Sequence, residues 1–177
     1  MSALVLDLDH TLVHTLDRKM DGYECEESSF GFVHVRPFVA DFLRYMRSEK
    51  SRFSTMGIWT AGTPAYADAV VKILCDLAWS DAEEPDSLFD FVLTRDQTLT
   101  ASDGSLYKHM DLVRTISGVH DVILMDDMEM HMQLPGNENS VLVVPKFNAS
   151  VPEGCRDRFF GDVLHLTKQF ASKPCHC

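Results

Sequence analysis

The chain has 177 residues, 45% hydrophobic and 24% charged, and at about 100–200 residues per domain this predicts one globular domain. Its expected extent is residues 1–172, with 173–177 as a flexible tail. Lys plus Arg number 16 against 27 Asp plus Glu, a net charge of −11, which argues against a nucleic-acid coat or an anionic-membrane binder, since both need a basic surface.

The N-terminus, Met1-Ser2-Ala3-Leu4-Val5-Leu6-Asp7, has no basic n-region and is not read as a signal peptide. No run approaches the ~20 apolar residues that span a bilayer. The expected location is therefore intracellular, nuclear or cytoplasmic. Five cysteines, at 25, 75, 155, 175 and 177, form no CxxC pair, so no disulfide framework is expected. Cys175-His176-Cys177 lacks the spaced second half of a zinc site and reads as a frayed tail. Asn148-Ala149-Ser150 matches a glycosylation acceptor, a match without meaning in a chain that is not secreted.

Along the chain, Ala3–Leu8 is an apolar run ending in acids and predicts a buried strand. Gly31–Val35 reads as one arm of a β-hairpin. Pro37 suits a first helical position, followed by Phe38, Phe42, Leu43 and Met46 at helical spacing. Met56–Thr60 predicts a second strand. A helix is expected from Pro64, with Tyr66, Val70, Ile73, Leu74 and Leu77 on its apolar face. Ser80–Ser87 is polar and acidic, a surface loop. Phe91–Thr94, Val122–Met125 and Val141–Val144 predict further strands, and Arg156–Phe170 a closing helix. Strands alternating with helices give an α/β domain with a mostly parallel sheet. Sites in such sheets form beyond the carboxyl ends of strands.

Two of those ends carry acidic pairs. Asp7 and Asp9, two apart on a strand, project to the same side while Leu8 packs. Asp126-Asp127 ends another apolar strand. Acids can simply finish a strand, but two such ends in one parallel sheet favour a cation between carboxylates that otherwise repel. Oxygen donors without nearby Cys or His favour Mg²⁺ over zinc. The run Met128-Glu129-Met130-His131-Met132 offers thioethers that suit Cu(I), although methionines after a strand are more commonly core filling. His10 and His14 read as packing or surface groups.

The run Leu6-Asp7-Leu8-Asp9-His10-Thr11-Leu12-Val13-His14 resembles the DxDxT signature of haloacid-dehalogenase-type phosphatases, and more closely the FCP/SCP branch. These are RNA polymerase II C-terminal-domain phosphatases, also called NLI-interacting-factor-like. Supporting segments follow in the family's order. Val35-Arg36-Pro37-Phe38 resembles its helix start, Ile58-Trp59-Thr60-Ala61-Gly62 with Tyr66-Ala67 its second motif, Tyr107-Lys108 its third and Leu124-Met125-Asp126-Asp127 its fourth. The resemblance covers residues 3–147. Departures are Lys108-His109 with the acid delayed to Asp111, Met128-Glu129 in place of Ser-Pro, and Gly62 in place of a Ser.

The resemblance implies a HAD-like, Rossmann-type sheet flanked by helices, with a small β-hairpin flap, and a Mg²⁺-dependent Ser/Thr phosphoprotein phosphatase. Asp7 is the implied nucleophile, forming an aspartyl-phosphate, and Asp9 the general acid and base. Thr60 and Lys108 are expected on the phosphoryl oxygens, with Asp126 orienting Lys108 or a metal-bound water. Asp7, the Asp9 backbone carbonyl and Asp127 are the implied Mg²⁺ ligands. Thr11, Gly62, Arg95 and Phe32 complete the candidate substrate-binding set, Phe32 with Phe30 and Val33 as an apolar pocket for a residue beside the phosphate. The intervals Asp9–Thr60 and Thr60–Lys108 leave no room for a large cap domain, so the expected partner is a phosphorylated protein or peptide, and the resemblance implies the polymerase C-terminal domain. Two alternatives stay open: a capless phosphatase for another macromolecular phosphate, and a non-catalytic phosphopeptide-binding scaffold.

Overall fold

A computed structural model describes residues 2–48, 52–79 and 87–171. The Cys175-His176-Cys177 tail and nearly all of the Ser80–Ser87 loop lie outside the described residues.

Strand β1 (Ser2–Leu6) shows why the core has two sides. Its alternate residues point to opposite faces: Leu4 and Leu6 join one buried cluster, Ala3 and Val5 the other. The remaining elements follow as β2 (Val13–Leu16), β3 (Glu24–Ser28), β4 (Gly31–Val35), α1 (Val39–Arg47), β5 (Phe53–Trp59), α2 (Pro64–Ala78) and β6 (Phe91–Leu93). After them come β7 (Leu99–Thr100), β8 (Leu106–Tyr107), α3 (Met110–Ser117), β9 (Asp121–Asp126), β10 (Val141–Val143) and α4 (Phe159–Ala171). The first cluster packs Leu4, Leu6 and Ile58 against Phe42 and Leu43 of α1, Val70 and Leu74 of α2 and Phe160 of α4. The second packs Ala3, Val5, Trp59 and Leu124 against Met110 and Val113 of α3. Helices therefore cover both faces, as an all-parallel sheet requires.

The main sheet is five-stranded and parallel, in the order β10-β9-β1-β5-β6. The chain runs from β1 to β5 and β6 on one side, then crosses to β9 and β10 on the other. The carboxyl end of β1 is therefore the point where strand order reverses, where α/β sheets open a crevice.

The expected hairpin is part of a three-stranded antiparallel sheet, β2-β4-β3, inserted directly after β1. Its β3–β4 turn needs glycine: Gly31 has φ 118°, and a Cβ there would lie 2.5 Å from the Leu16 carbonyl oxygen. A second correction concerns α1, which starts at Val39 rather than Pro37. Phe38 takes a left-handed conformation, φ 67°, at its N-cap. Helix α2 begins at Pro64 as expected, with Thr63 accepting the Tyr66 N–H at its N-cap. The β7–β8 ribbon and α3 were not anticipated from the sequence. No helix among the described residues is long and apolar enough to cross a membrane.

Candidate active site

Register brings the site together. Leu6 of β1 pairs with Ile58 of β5 and Met125 of β9, so the next residues, Asp7, Trp59-Thr60 and Asp126, end three adjacent strands. The Asp7 N–H donates to the Met125 carbonyl (3.0 Å), and the Thr60 N–H to the Leu93 carbonyl of β6 (3.0 Å). They border a cavity of about 410 Å³ whose lining includes Asp7, Asp9, Thr60, Lys108, Asp126 and Asp127.

Lys108 reaches this end from the loop after β8. It is buried, and its Nζ donates to Asp7 Oδ1 (2.5 Å) and Asp126 Oδ2 (2.6 Å). A buried cation between two buried carboxylates satisfies charges that burial alone would make very costly. Burial pushes the Asp7 carboxyl up to about 7, against the pull of Lys108 and with the help of Asp126 and Asp9. Burial also raises Asp126, but a hydrogen bond from His131 and the charge of Lys108 outweigh it and hold Asp126 down to about 2. Burial disfavours the Lys108 ammonium, yet Asp7 and Asp126 keep its pKa above the usual lysine value. Asp127 is raised by burial and by Asp126.

Oxygens of Asp7, Asp126 and Asp127 lie within 4.8 Å of one another, close enough to share one ion. The donors are all carboxylates, and Lys108 is the buried cation that faces them, so the set suits a hard divalent cation such as Mg²⁺. Asp126 was not among the ligands expected from the sequence; it joins Asp7 and Asp127 within reach of one ion while also holding Lys108.

Asp9 stands two residues beyond Asp7, half-buried on the cavity wall. The chain turns sharply after it: the Thr11, Leu12 and Val13 N–H groups all donate to the Leu8 carbonyl, and His10 has φ 62°. Burial raises the Asp9 pKa, while a hydrogen bond from the Tyr66 hydroxyl to its Oδ1 lowers it; burial prevails. Thr60 Oγ1 accepts the Gly62 N–H (2.9 Å), which leaves its own O–H free to donate into the cavity.

Four other expected substrate residues lie outside the cavity lining. Thr11 is fully buried, its hydroxyl without a hydrogen-bond partner among the described residues. Gly62 donates its N–H to Thr60 Oγ1. The exposed Arg95 turns its Nε onto the Ala61 carbonyl (2.8 Å). Phe32 lies within the flap, paired across β3 and β2.

Several residues were missed from the sequence. His131 is buried; its Nδ1 accepts the Lys108 N–H (3.4 Å), so its Nε2 carries the proton that faces Asp126 Oδ2 at 3.3 Å. Asn137, also buried, donates to the Lys108 and His131 carbonyls (2.7 and 2.9 Å) and accepts from Met110 N. Together they fix the loop that delivers Lys108. His131 and Met130, from the methionine-rich run, line the same acid site. His10 also lines the cavity and bonds the Phe147 carbonyl (3.0 Å) through Nδ1. Tyr66, expected as core, turns its hydroxyl to Asp9 and Thr15.

Residues 2–174 match the family model of NLI interacting factor-like phosphatases. The chain belongs to this family. Among solved structures, it is similar to the fission yeast RNA polymerase II CTD phosphatase Fcp1, an arginine-to-alanine variant bound to beryllium fluoride, at 19% identity and a TM-score of 0.49. The match covers 96% of this chain and 52% of that one, so the chain spans about half the length of that structure.

Proposed function

We propose that this chain is a Mg²⁺-dependent phosphatase of phosphoserine and phosphothreonine in proteins, working through an aspartyl-phosphate on Asp7. The observation that carries this reading is the buried Asp7–Lys108–Asp126 ion pair set at the strand-order reversal, with Asp9 two residues on. Asp7 Oδ attacks phosphorus in line, splitting hydrolysis into two easier displacements. Lys108 and the Thr60 hydroxyl stabilise charge on the phosphoryl oxygens. Asp9 donates a proton to the departing serine or threonine oxygen, then takes one from the hydrolytic water. Asp126 keeps Lys108 aimed at Asp7. Asp7, Asp127 and the Asp9 backbone carbonyl would hold Mg²⁺, with Asp126 beside them. The ion would neutralise phosphate charge during transfer.

The connections between motifs hold the flap, α1 and the β7–β8 ribbon, with no large domain over the site among the described residues. A side chain on an extended protein segment can therefore enter. The polymerase C-terminal domain is the substrate that the sequence resemblance implies, and another phosphoprotein segment in extended form fits the same open site. The test is release of phosphate from a phosphoserine peptide and from p-nitrophenyl phosphate with Mg²⁺. Both activities should disappear with EDTA and in Asp7→Asn. Full turnover by Asp7→Asn would end the aspartyl-phosphate reading.

A further inference from the structure

The Asp9 carboxyl is held by a hydrogen-bonded series that spans three elements. Tyr66, in the first turn of α2, donates to Asp9 Oδ1. With its single proton so used, the Tyr66 oxygen accepts from Thr15 Oγ1 of β2 at 2.8 Å. Phe30, at the tip of the flap, meets the Tyr66 ring edge-on with centroids 5.4 Å apart. Gly62 clears the other side, because a Cβ there would lie 2.6 Å from Tyr66 Cδ1. The departure of this sequence to glycine at position 62 thus leaves room for the ring in the pose that reaches Asp9.

We propose that Tyr66 is a positioning residue for leaving-group protonation, locked by Thr15 so that the flap sets the orientation of the general acid. The inference rests on the reading of Asp9 as that acid. As the Asp7 oxygen bonds phosphorus, the bond from phosphorus to the serine or threonine oxygen breaks. The proton on Asp9 Oδ2 passes to that departing oxygen, and Asp9 becomes a carboxylate. Tyr66 engages Oδ1 throughout, so Oδ2 is the oxygen left to carry the proton. Its hydrogen bond becomes charge-assisted as Asp9 ionises. The contact is therefore stronger in the transition state than in the ground state, which is the condition for raising the rate. Thr15 makes this dependent on β2, and hence on the seating of the flap.

The consequence is a dependence on the leaving group. A p-nitrophenolate departs without a proton, whereas a serine or alkyl alkoxide does not. The quantity to measure is kcat/KM, with Mg²⁺, for a phosphoserine peptide, an alkyl phosphate, phenyl phosphate and p-nitrophenyl phosphate. It ends at leaving-group departure, so hydrolysis of the common aspartyl-phosphate does not enter. In Tyr66→Phe, kcat/KM for the peptide and alkyl phosphate should fall about 10–100-fold, part of the 10²–10⁴ that general acid catalysis supplies. For p-nitrophenyl phosphate kcat/KM should stay within about twofold of wild type, since its departure takes no proton. Thr15→Val, which keeps the Tyr66 ring in place, should steepen the dependence in the same direction by less. Gly62→Ala, which pushes the ring, should resemble Tyr66→Phe. Equal losses on all four substrates in these variants, or no loss on any, would overturn the inference while leaving the phosphatase reading intact. Wild type without Mg²⁺-dependent turnover on any substrate would overturn both.

Discussion

Lys108 decides the electrostatics of the site at the scale of one residue. It lies 2.5 and 2.6 Å from two carboxylates that are buried with it, and removing one partner from such a set leaves the others uncompensated. Lys108→Met should abolish turnover and, with EDTA present, lower unfolding stability by about 3–5 kcal/mol. Adding Asp126→Asn should restore much of the stability and none of the turnover, because it removes one stranded charge without replacing the cation. Denaturant unfolding of the single and double variants checks this, and a Lys108→Met protein as stable as wild type would contradict it. The acids of this cluster were legible in the sequence, since a strand ending in DxD and another in DD can be read from spacing alone. The residues that aim them were not. Tyr66 falls on the apolar period of α2 and reads as core, and its partners Asp9 and Thr15 lie 57 and 51 positions away. His131 was hidden in a methionine run, and Asn137 carries no pattern at all. Their roles come from packing between elements, which a linear pattern does not record.

Among elements, the junction between the flap and the C-terminal segment is fastened by Arg36. This residue follows β4 and is buried; it donates to the Thr11 carbonyl (3.1 Å) and through Nε and Nη2 to both oxygens of Asp157 (3.1 and 2.9 Å). Its guanidinium lies 4.9–5.7 Å from the ring centroids of Phe147, Phe159 and Phe160. The turn after Asp9, the end of the flap and the approach to α4 thus meet at one planar cation. Arg36→Met should destabilise the protein by about 1.5–3 kcal/mol by removing the charge-assisted pair, since the partly exposed Asp157 keeps the Phe159 N–H. Arg36→Lys should recover only part of it, because an ammonium cannot make the bidentate pair and stack at once. Thermal unfolding of both variants is the measurement, and full rescue by lysine would rule out the planar fork as the cause. The sequence marked Arg36 only as part of a helix start, and that reading was off in register: the left-handed Phe38 delays α1 to Val39. In a long periodic segment such as α2 the start at Pro64 and the apolar face were legible. The two-residue strands β7 and β8, and an eight-residue α3 with only Met110 and Val113 buried, are too short for periodicity to show.

At the scale of the whole molecule, the reversal of strand order at β1 concentrates carboxylates on one end of an already acidic protein. The net charge of −11 creates a field felt by any approaching peptide beyond its contacts at the site. Such a field raises encounter rates for oppositely charged partners and suppresses like-charged ones. A phosphoserine peptide flanked by Lys or Arg should therefore exceed one flanked by Asp or Glu in kcat/KM, by about threefold or more at low ionic strength. The origin of the preference is separated by salt. Raising ionic strength from about 0.01 M to about 1 M shortens the Debye length from about 30 Å to about 3 Å, so a long-range preference should collapse toward unity while kcat is unchanged. A preference that survives high salt would place its origin in short contacts at the flap instead. The absence of any preference at low salt would contradict control by the net charge at the cavity mouth, which the exposed Lys146 also lines.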